Sequence, residues 1–286
     1  MARRKDPTTP RTAKGRPHPT GKVRRERPIP KQTVAKLPAR GEPFTKEDAI
    51  WLYGEHAVRA ALGNDVRRIR RLMARTPIDS PIAALARRRQ VAPEMVDRLT
   101  LESVLPPGAV HQGVALLVDP LPPTDIEEIT DAPAADAIVV VLDQVTDPHN
   151  VGAILRSAVA FKAGALITTA RHSPQESGVL AKSASGALEH IDHITVRNLA
   201  EALETLSAAG FTTIGLDSDG PAELEKSFSG NRIALVLGAE GKGLRQKTRE
   251  TVDALARLDM PGAIRSLNVS NAAAISLYAA TRHLRS

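Results

Sequence analysis

The sequence predicts an α/β protein in which a parallel sheet covered by helices follows a small α/β unit and a disordered basic tail. Three observations carry this prediction. Residues 1–43 combine basic charge with proline, residues 44–120 alternate helix and strand signals, and residues 137–286 alternate short Val/Ile/Leu runs with helical segments. Short apolar strands that alternate with helices are typical of a parallel sheet buried on both faces.

The tail, residues 1–43, holds most of the basic charge. Between Met1 and Arg40 there are thirteen Lys or Arg residues against Asp6 and Glu26, so this stretch carries +11 and the remainder 7 − 11 = −4. Seven of the 21 prolines lie between Met1 and Arg40 and large apolar side chains are scarce, which predicts disorder. Such an arm neutralises phosphates without reading sequence, so RNA or ribosome contact is favoured over a solubilising role or organelle import.

Composition excludes several classes of protein. The 286 residues include no cysteine, so disulfides and thiolate metal sites are excluded. The most apolar run, AIVVVL at 137–142, has the length of a strand and falls short of the roughly 18 residues that span a bilayer. His190 and His193 flank Asp192 without further clustered ligands, so no metal site is predicted. We expect a soluble, cytoplasmic protein with no membrane partner.

Residues 44–120 are predicted to form a small domain. The pattern indicates a helix over 49–63 that Gly63 ends, a strand over 66–74, a helix over 82–90 and a strand over 111–120. Two basic clusters within it are interpreted either as a solvated face or as phosphate contacts. They comprise Arg67, Arg68, Arg70 and Arg71, and Arg87, Arg88 and Arg89.

Residues 121–136 are rich in proline and acid and are interpreted as a linker. The segment 137–286 is predicted to be a second domain with strands at AIVVVLD, ALITT, HITV, TTIGLD and RIALVLG. Helices are predicted near 150–162, 176–184 and 198–209, followed by a final helix after Leu267. Because ligands bind beyond the carboxyl ends of parallel strands, the loops that follow these strands are where a site is expected.

The first unusual loop is DQVTDPHNVGAILRSA, residues 143–158. Asp147 and Pro148 predict a turn, Asn150 can cap the following helix, and Gly152 permits close backbone approach. Arg156 follows Asn150 by under two helical turns, so both can face one site. A capped helix with a surface arginine is the alternative.

The second loop, LVLGAEGKGL at 235–244, places Gly238, Gly241 and Gly243 after a strand. This spacing matches neither a dinucleotide-binding nor a Walker loop. Glu240 would repel a phosphate, which favours a ligand that is cationic or offers hydrogen-bond donors over one that is anionic. A simple turn with a surface acid is the alternative.

The third loop lies within LDMPGAIRSLNVSNAAAISLY, residues 258–278. Pro261 and Gly262 forbid regular structure, so an irregular loop is predicted to deliver Ser266 and Asn268 to the start of the last helix. One cap suffices for a helix, whereas four polar candidates occur here, which indicates a further role for some of them.

These three segments, in this order, resemble the signature motifs of the SpoU (TrmH-type) RNA 2′-O-ribose methyltransferases of the SPOUT class. The shared patterns are N-x5-R, G-x-E-G-x-G-L and S-L-N-V-S. LYGEHAVRAAL and HQGVAL further resemble the substrate-binding domain of the subgroup that methylates a guanosine of 23S ribosomal RNA. The resemblance implies a C-terminal trefoil knot, S-adenosylmethionine as methyl donor, a homodimer, and an N-terminal RNA-binding domain of the ribosomal L30e type.

The resemblance also implies roles for individual residues. Cofactor contacts fall on Gly238, Leu258 and Leu267, largely through the backbone. Arg156 becomes the principal catalytic residue, and the site is shaped by Asn150, Glu240, Ser266 and Asn268. Because arginine stays protonated, we interpret Arg156 as a group that positions the ribose and stabilises negative charge; the group that accepts the proton stays open.

Three departures from the family pattern are visible. Lys162 stands where glycine is usual, Asp259-Met260-Pro261 replaces an Ile-Pro-Met order, and Asn271 takes a position that is commonly apolar. Two other functions are compatible with the sequence: methylation of transfer RNA, and a non-catalytic role in RNA binding or ribosome assembly. The N-terminal domain disfavours the first, and the intact polar motif residues disfavour the second.

Overall fold

A computed structural model describes residues 48–77, 80–131, 136–264 and 266–286. The basic tail, residues 1–43, lies outside the described residues. Two sheets organise the described chain: one of four strands built from the N-terminal segment, and one of seven parallel strands built from the segment after residue 136. This α/β architecture confirms the predicted fold class.

The four-stranded sheet has the order β1-β4-β2-β3, with β2 and β3 parallel and the other neighbours antiparallel. Its strands are β1 (Ile50–Tyr53), β2 (Ile69–Ala74), β3 (Pro93–Met95) and β4 (Val114–Val118). Its helices are α1 (Glu55–Gly63), α2 (Ser80–Arg88) and α3 (Arg98–Ser103). Strands β2 and β4 and helix α2 agree with the prediction, whereas β3 and α3 were not predicted.

The predicted helix over 49–63 is wrong in its first third. Ile50–Tyr53 pairs with β4, and the helix begins only at Glu55. Gly54 separates the two elements with φ +84°, a conformation that glycine adopts without a Cβ clash. Leu52 is fully buried as a residue of this strand, so its agreement with the helical spacing does not indicate a helix.

The segment interpreted as a linker, residues 121–136, is partly structured. It contains helix α4 (Glu127–Thr130), and Thr124 forms an isolated bridge to Ile194. Arg232 donates to the carbonyl oxygens of Ile129 and Thr130 at 3.0 and 3.4 Å, which ties this helix to the large sheet. The description of residues 121–136 as a plain linker is therefore too simple.

The seven-stranded sheet has the order β7-β6-β5-β10-β8-β11-β9. Its strands are β5 (Ala137–Asp143), β6 (Ala165–Thr169), β7 (Asp192–Val196), β8 (Thr212–Leu216), β9 (Ala222–Glu223), β10 (Arg232–Gly238) and β11 (Ala254–Arg257). Its helices are α5 (Pro148–Ala160), α6 (Gly178–Ala184), α7 (Leu199–Ala208), α8 (Leu224–Ser227), α9 (Gln246–Thr251) and α10 (Val269–His283), with a 3₁₀ turn at Ala187–His190.

Alternation along β5 shows why both faces of the large sheet are covered. Ile138, Val140 and Leu142 enter the cluster beneath α5, α6 and α10, while Val139 and Val141 enter the opposite cluster with α7. Helix α5 completes the first face because Val151, Ile154, Leu155 and Ala158 follow a helical period and are all fully buried.

The C-terminal helix α10 packs against α5, β10 and α8. The trefoil knot that the resemblance implies stays a prediction. Lys162 adopts φ +59° directly after α5, so the residue that stands in place of glycine keeps a left-handed backbone. Within the described residues, no helix is both long enough and apolar enough to cross a bilayer.

Candidate active site

A cavity of about 360 Å³ opens at the carboxyl edge of the large sheet, beyond β8, β10 and β11. This is the edge where ligands bind in open parallel sheets. Two of the three loops singled out in the sequence line it, and the loop after β8, which sequence reasoning missed, completes it. The lining residues are Leu216, Asp217, Ser218, Leu237, Gly238, Ala239, Glu240, Gly241, Gly243, Leu258, Met260, Ser266, Leu267, Val269 and Ala272.

The glycine loop after β10 forms one wall of this cavity. Ala239 and Gly243 pair as an isolated bridge, with the Gly243 N–H donating to the Ala239 carbonyl at 2.8 Å. Gly241 and Gly243 have φ of +76° and +65°, which side-chain-bearing residues rarely adopt. A Cβ at Gly238 would overlap the backbone of Gly243 and Leu244, so this tight loop requires glycine there.

The loop after β11 forms the facing wall. Leu258, Met260, Ser266 and Leu267 all line the cavity, so the altered Asp259-Met260-Pro261 order still contributes a residue to it. Three predicted cofactor positions, Gly238, Leu258 and Leu267, therefore border one space, together with the predicted site residues Glu240 and Ser266.

The remaining predicted asparagines meet beside this wall. Asn268 Nδ2 donates to Asn150 Oδ1 at 3.0 Å, which joins the loop after β5 to the start of α10. Asn268 also caps α10, because its Oδ1 accepts from the Ser270 N–H at 2.9 Å. The prediction that Asn150 caps α5 is wrong, since Asp147 accepts from the His149 N–H there and frees the Asn150 side chain for this contact.

Arg156 is not among the residues that line the cavity. It is exposed on α5, and no hydrogen bond or ion pair joins its side chain to another described residue. Six residues of helix separate it from Asn150 by about 9 Å along the axis and by roughly 120° around it. No contact among the described residues joins Arg156 to Asn150 or to the cavity, so the prediction that both side chains face one site and the catalytic role of Arg156 stay predictions.

A buried carboxylate that sequence reasoning missed ties the glycine loop to β5. Asp143 is fully buried at the end of β5 and accepts from the Arg245 N–H at 2.9 Å and from Arg245 Nε at 2.6 Å. This pair fixes the end of the glycine loop over the sheet edge. An acid that ends an otherwise apolar strand was the available signal for it.

The electrostatics of the cavity suit a ligand that carries positive charge. Glu240 and Asp217 both line it; Asp217 is paired with Arg249, whereas Glu240 is exposed and has no ion-pair partner among the described residues. Leucine, methionine, valine and alanine residues, two serines and the glycine loop make up the rest of the lining. S-adenosylmethionine, with its sulfonium, ammonium and flat adenine, fits this mixture, and 360 Å³ lies in the usual size range for small-ligand sites.

The arginine clusters are mostly neutralised within the chain. Arg67 is 1% exposed and pairs with Glu176 and Glu189, so interpreting it as a solvated or phosphate-binding residue is wrong. Arg70 pairs with Asp119 and Arg71 with Glu94. Arg88 and Arg89 bind Asp65 and backbone carbonyls, which leaves Arg68 and Arg87 as the exposed members for which phosphate contact stays a prediction.

The two histidines considered as metal ligands have different surroundings. His190 is exposed, whereas the His193 ring lies beside Thr168, with Nε2 3.0 Å from Oγ1, and burial lowers its pKa to about 4. Within the described ranges, no group of three or more His, Cys, Asp or Glu side chains is arranged to hold a metal ion.

The depressed pKa of His193 predicts acid sensitivity of the fold. The ring takes up a proton near pH 6.5 in the unfolded chain but only near pH 4 in the folded protein. The contribution of His193 to the free energy of unfolding is therefore complete above pH 6.5 and is lost as the pH falls toward 4. We expect urea unfolding at pH 5 to show about 2 kcal/mol less stability from this residue than at pH 7.5. His193→Gln should remove this part of the pH dependence. If the variant shows the same difference in stability between pH 5 and pH 7.5 as wild type, the prediction is contradicted.

Two family models match the chain in tandem. The SpoU rRNA Methylase family model matches residues 137–278, and the model for RNA 2′-O ribose methyltransferase substrate binding matches residues 51–124. A curated relative, 23S rRNA (guanosine-2′-O-)-methyltransferase RlmB of Pseudomonas putida, is 35% identical over 238 residues, which cover 81% of this chain and 95% of the relative. The chain belongs to the SpoU rRNA methylase family.

Further members of the SpoU family agree with this placement. The RlmB enzyme of Ralstonia nicotianae is 42% identical over 173 residues, covering 60% of this chain and 70% of the relative. The crystal structure of the SpoU methyltransferase AviRb from Streptomyces viridochromogenes, in complex with AdoMet, superposes with a TM-score of 0.73 at 23% identity. It covers 84% of this chain and 92% of that one, and shows that the SpoU fold is shared.

Proposed function

We propose that this protein transfers the methyl group of S-adenosylmethionine to the 2′-hydroxyl of a guanosine ribose in 23S ribosomal RNA. The observation that carries the proposal is the cavity at the sheet edge, which the glycine loop and the loop before α10 line together, beside the Asn150–Asn268 pair. Curated relatives named for this reaction match almost their whole length. RNA is the substrate, and the cytoplasm, where ribosomal RNA is found, is the proposed location.

The backbone of the two loops would hold the donor. Gly238, Leu258 and Leu267 line the cavity and would contact the donor largely through their main chain, and the Glu240 carboxylate would stabilise the positive charge of the donor. When bound, the donor supplies an electrophilic methyl group. The protein contributes the position of that group and the exclusion of water from it.

The polar residues beside the cavity would orient the ribose. Asn268 is fixed by its cap and by Asn150, so the amide nitrogen of Asn150 stays available to donate to a ribose oxygen. The exposed Ser266 hydroxyl lies on the cavity wall nearby. In this proposal Arg156 holds the ribose or its phosphate and stabilises negative charge on the 2′-oxygen, since a guanidinium does not act as a base.

We also propose a homodimer. Ile275 and Tyr278 on α10 are 45% and 57% exposed, and Asn271 lies on the same side one turn earlier. A second copy of the chain could bury this exposed apolar stripe, which lies on a helix beside the cavity. Asn271 would then lie at the border of that interface.

The proposed reaction is tested by methyl transfer from labelled donor to 23S ribosomal RNA and to transfer RNA. We expect Arg156→Ala to lower kcat by about 10²–10³-fold, as loss of a charge-stabilising donor does, with unchanged affinity for S-adenosylmethionine. Arg285 is an exposed arginine just beyond the C-terminal end of α10, and Arg285→Ala is the matched control that should keep full activity.

Each alternative gives a different result. If Arg156→Ala and wild type label RNA equally, Arg156 has no catalytic role. Labelling of transfer RNA alone would assign the other substrate. If wild type binds RNA but labels neither substrate, the protein acts as a non-catalytic RNA-binding or assembly factor.

A further inference from the structure

A lysine bridges the two halves of the described chain. Lys182 lies on α6, and its Nζ donates to Gln112 Oε1 at 2.8 Å in the turn before β4. The same oxygen accepts from the Glu55 N–H at 3.2 Å, and Gln112 adopts φ +54° to present it. Two independent donors therefore meet on one side-chain oxygen, which fixes the ammonium group at the junction.

The ammonium group of Lys182 also lies directly over backbone. A Cβ at Gly54 would overlap Lys182 Nζ, so the lysine occupies the space that glycine leaves open between β1 and α1. Its position is set by shape as well as by the hydrogen bond to Gln112. A lysine whose rotamer is already restricted loses less entropy when it binds an anion.

The charge of Lys182 is not neutralised. Its acceptor is a neutral amide, and no ion pair joins it to a carboxylate among the described residues. An ammonium group has three donors, and the contact to Gln112 uses one of them. Lys182 thus differs from Arg67, Arg70 and Arg71, which all have acidic partners.

Helix α6, which carries Lys182, also contacts the start of α5 beside the candidate active site. The next residue, Ser183, contacts His149 Nδ1 through its Oγ at 3.0 Å. His149 directly precedes Asn150, whose side chain binds Asn268 beside the cavity. Gly152 lets α5 and α6 approach closely at this point, since a Cβ there would lie 2.5 Å from Ser183 Cβ. Lys182 and the site are therefore connected through Ser183 and His149, with two of the steps made by adjacency along the chain.

We propose that Lys182 binds a backbone phosphate of the RNA strand whose ribose enters the active site. This inference rests on the proposed function, because it assumes an RNA substrate that contacts both the N-terminal unit and the cavity. A phosphate on Lys182 would be positioned by charge without sequence readout, and the strand would then extend past Ser183 and His149 toward Asn150 and Asn268.

The test measures binding of a 23S ribosomal RNA transcript as a function of salt concentration. Lys182→Met keeps most of the apolar stem and removes the charge, and we expect its Kd to rise roughly tenfold. The slope of log K against log salt should become shallower by about 0.7–0.9, the value for one phosphate contact. Lys182→Arg should restore most of the affinity and slope.

A second variant separates a phosphate contact from a purely structural hydrogen bond. Gln112→Gly deletes the same hydrogen bond, keeps the ammonium charge, and adopts φ +54° without strain. The phosphate contact predicts that its salt slope stays that of wild type. If Gln112→Gly and Lys182→Met lose the same affinity and slope, or if Lys182→Met changes neither, the inference is overturned.

Lys247→Met is the matched control, since Lys247 is an exposed lysine on α9, which packs with α7 on the other face of the sheet. It should bind RNA as wild type does. Affinity for S-adenosylmethionine, measured by calorimetry, should be equal in all variants. If wild type shows a Lys182-dependent salt slope but transfers no methyl group, the proposed reaction fails while the phosphate contact stands.

Discussion

Replacing Arg67 by methionine is expected to lower the free energy of unfolding by about 3–5 kcal/mol, because it leaves buried carboxylates without a cation. The Arg67 guanidinium is fully buried and binds Glu176 at 2.5 Å and Glu189 at 2.6 Å. It also donates to the Asp119 carbonyl at 2.9 Å. These contacts connect the N-terminal sheet to the segments around α6, so their loss also loosens the junction that carries Lys182.

The effect of Arg67→Met should depend on pH in a defined direction. Burial already raises the pKa of the Glu176 carboxyl even though Arg67 opposes the shift. Without the guanidinium the pKa rises further, so the folded protein takes up protons that the unfolded chain releases. A carboxyl whose folded pKa lies above its unfolded value loses stability as pH rises. The deficit of Arg67→Met should thus be smaller at pH 5 than at pH 8.

Urea unfolding measures this prediction, with Arg71→Met as the matched control. Arg71 pairs with Glu94 at the same 2.5 Å, but both side chains are nearly half exposed, so solvent replaces the lost partner. We expect the control to stay close to wild type. Adding Glu176→Gln and Glu189→Gln to Arg67→Met should recover part of the loss, since amides avoid buried charge. A loss from Arg67→Met no larger than that of Arg71→Met would contradict the prediction.

Much of the large sheet could be predicted because its signals are local. The strands β5, β6 and β10 are continuous apolar runs, and α5 shows a regular helical period between Asp147 and Ala160. The helix α9 was missed because its six residues, QKTRET, include no apolar side chain, and β9, β11 and α8 were missed because each spans four residues or fewer. Such lengths are too short for periodicity to distinguish them from loops.

Arg67 shows what local pattern cannot reveal. Among adjacent arginines it has the same sequence surroundings as Arg68, yet one is fully buried and the other exposed. Its partners are 109 and 122 residues away, so only the tertiary fold distinguishes an ion pair at a domain junction from a basic surface. The same limit applies to Asp143 and Arg245, which are 102 residues apart.

The candidate site was predictable to the extent that parallel strands bring their loops to one edge. Gly238, Glu240, Leu258, Ser266 and Leu267 meet around the cavity as the motifs indicate. The loop after β8, with Asp217 and Ser218, carries no glycine pattern or family motif that would have indicated its place in the lining. Its position follows from the strand order, in which β8 lies between β10 and β11, and strand order was not deducible from the sequence pattern.

Gly238→Ala is expected to weaken binding of S-adenosylmethionine by roughly 5- to 150-fold, the equivalent of about 1–3 kcal/mol of overpacking strain. The added methyl group would overlap the backbone of Gly243 and Leu244, which has no rotamer to change. The loop must therefore shift, and it carries Ala239, Glu240 and Gly241 away from their places in the cavity wall. Calorimetric titration of the donor measures the loss without any RNA.

Gly262→Ala separates this effect from a general sensitivity of the cavity loops to alanine. Gly262 lies in the loop between β11 and α10, and a Cβ there meets nothing within 4 Å. The Gly262→Ala variant should bind the donor with the affinity of wild type. If Gly238→Ala binds the donor with unchanged affinity while its thermal unfolding matches wild type, the loop has room for the methyl group. The glycine would then have no part in shaping the cavity wall. Equal weakening by both variants would instead mean that the two loops respond to any added side chain, whatever space surrounds it.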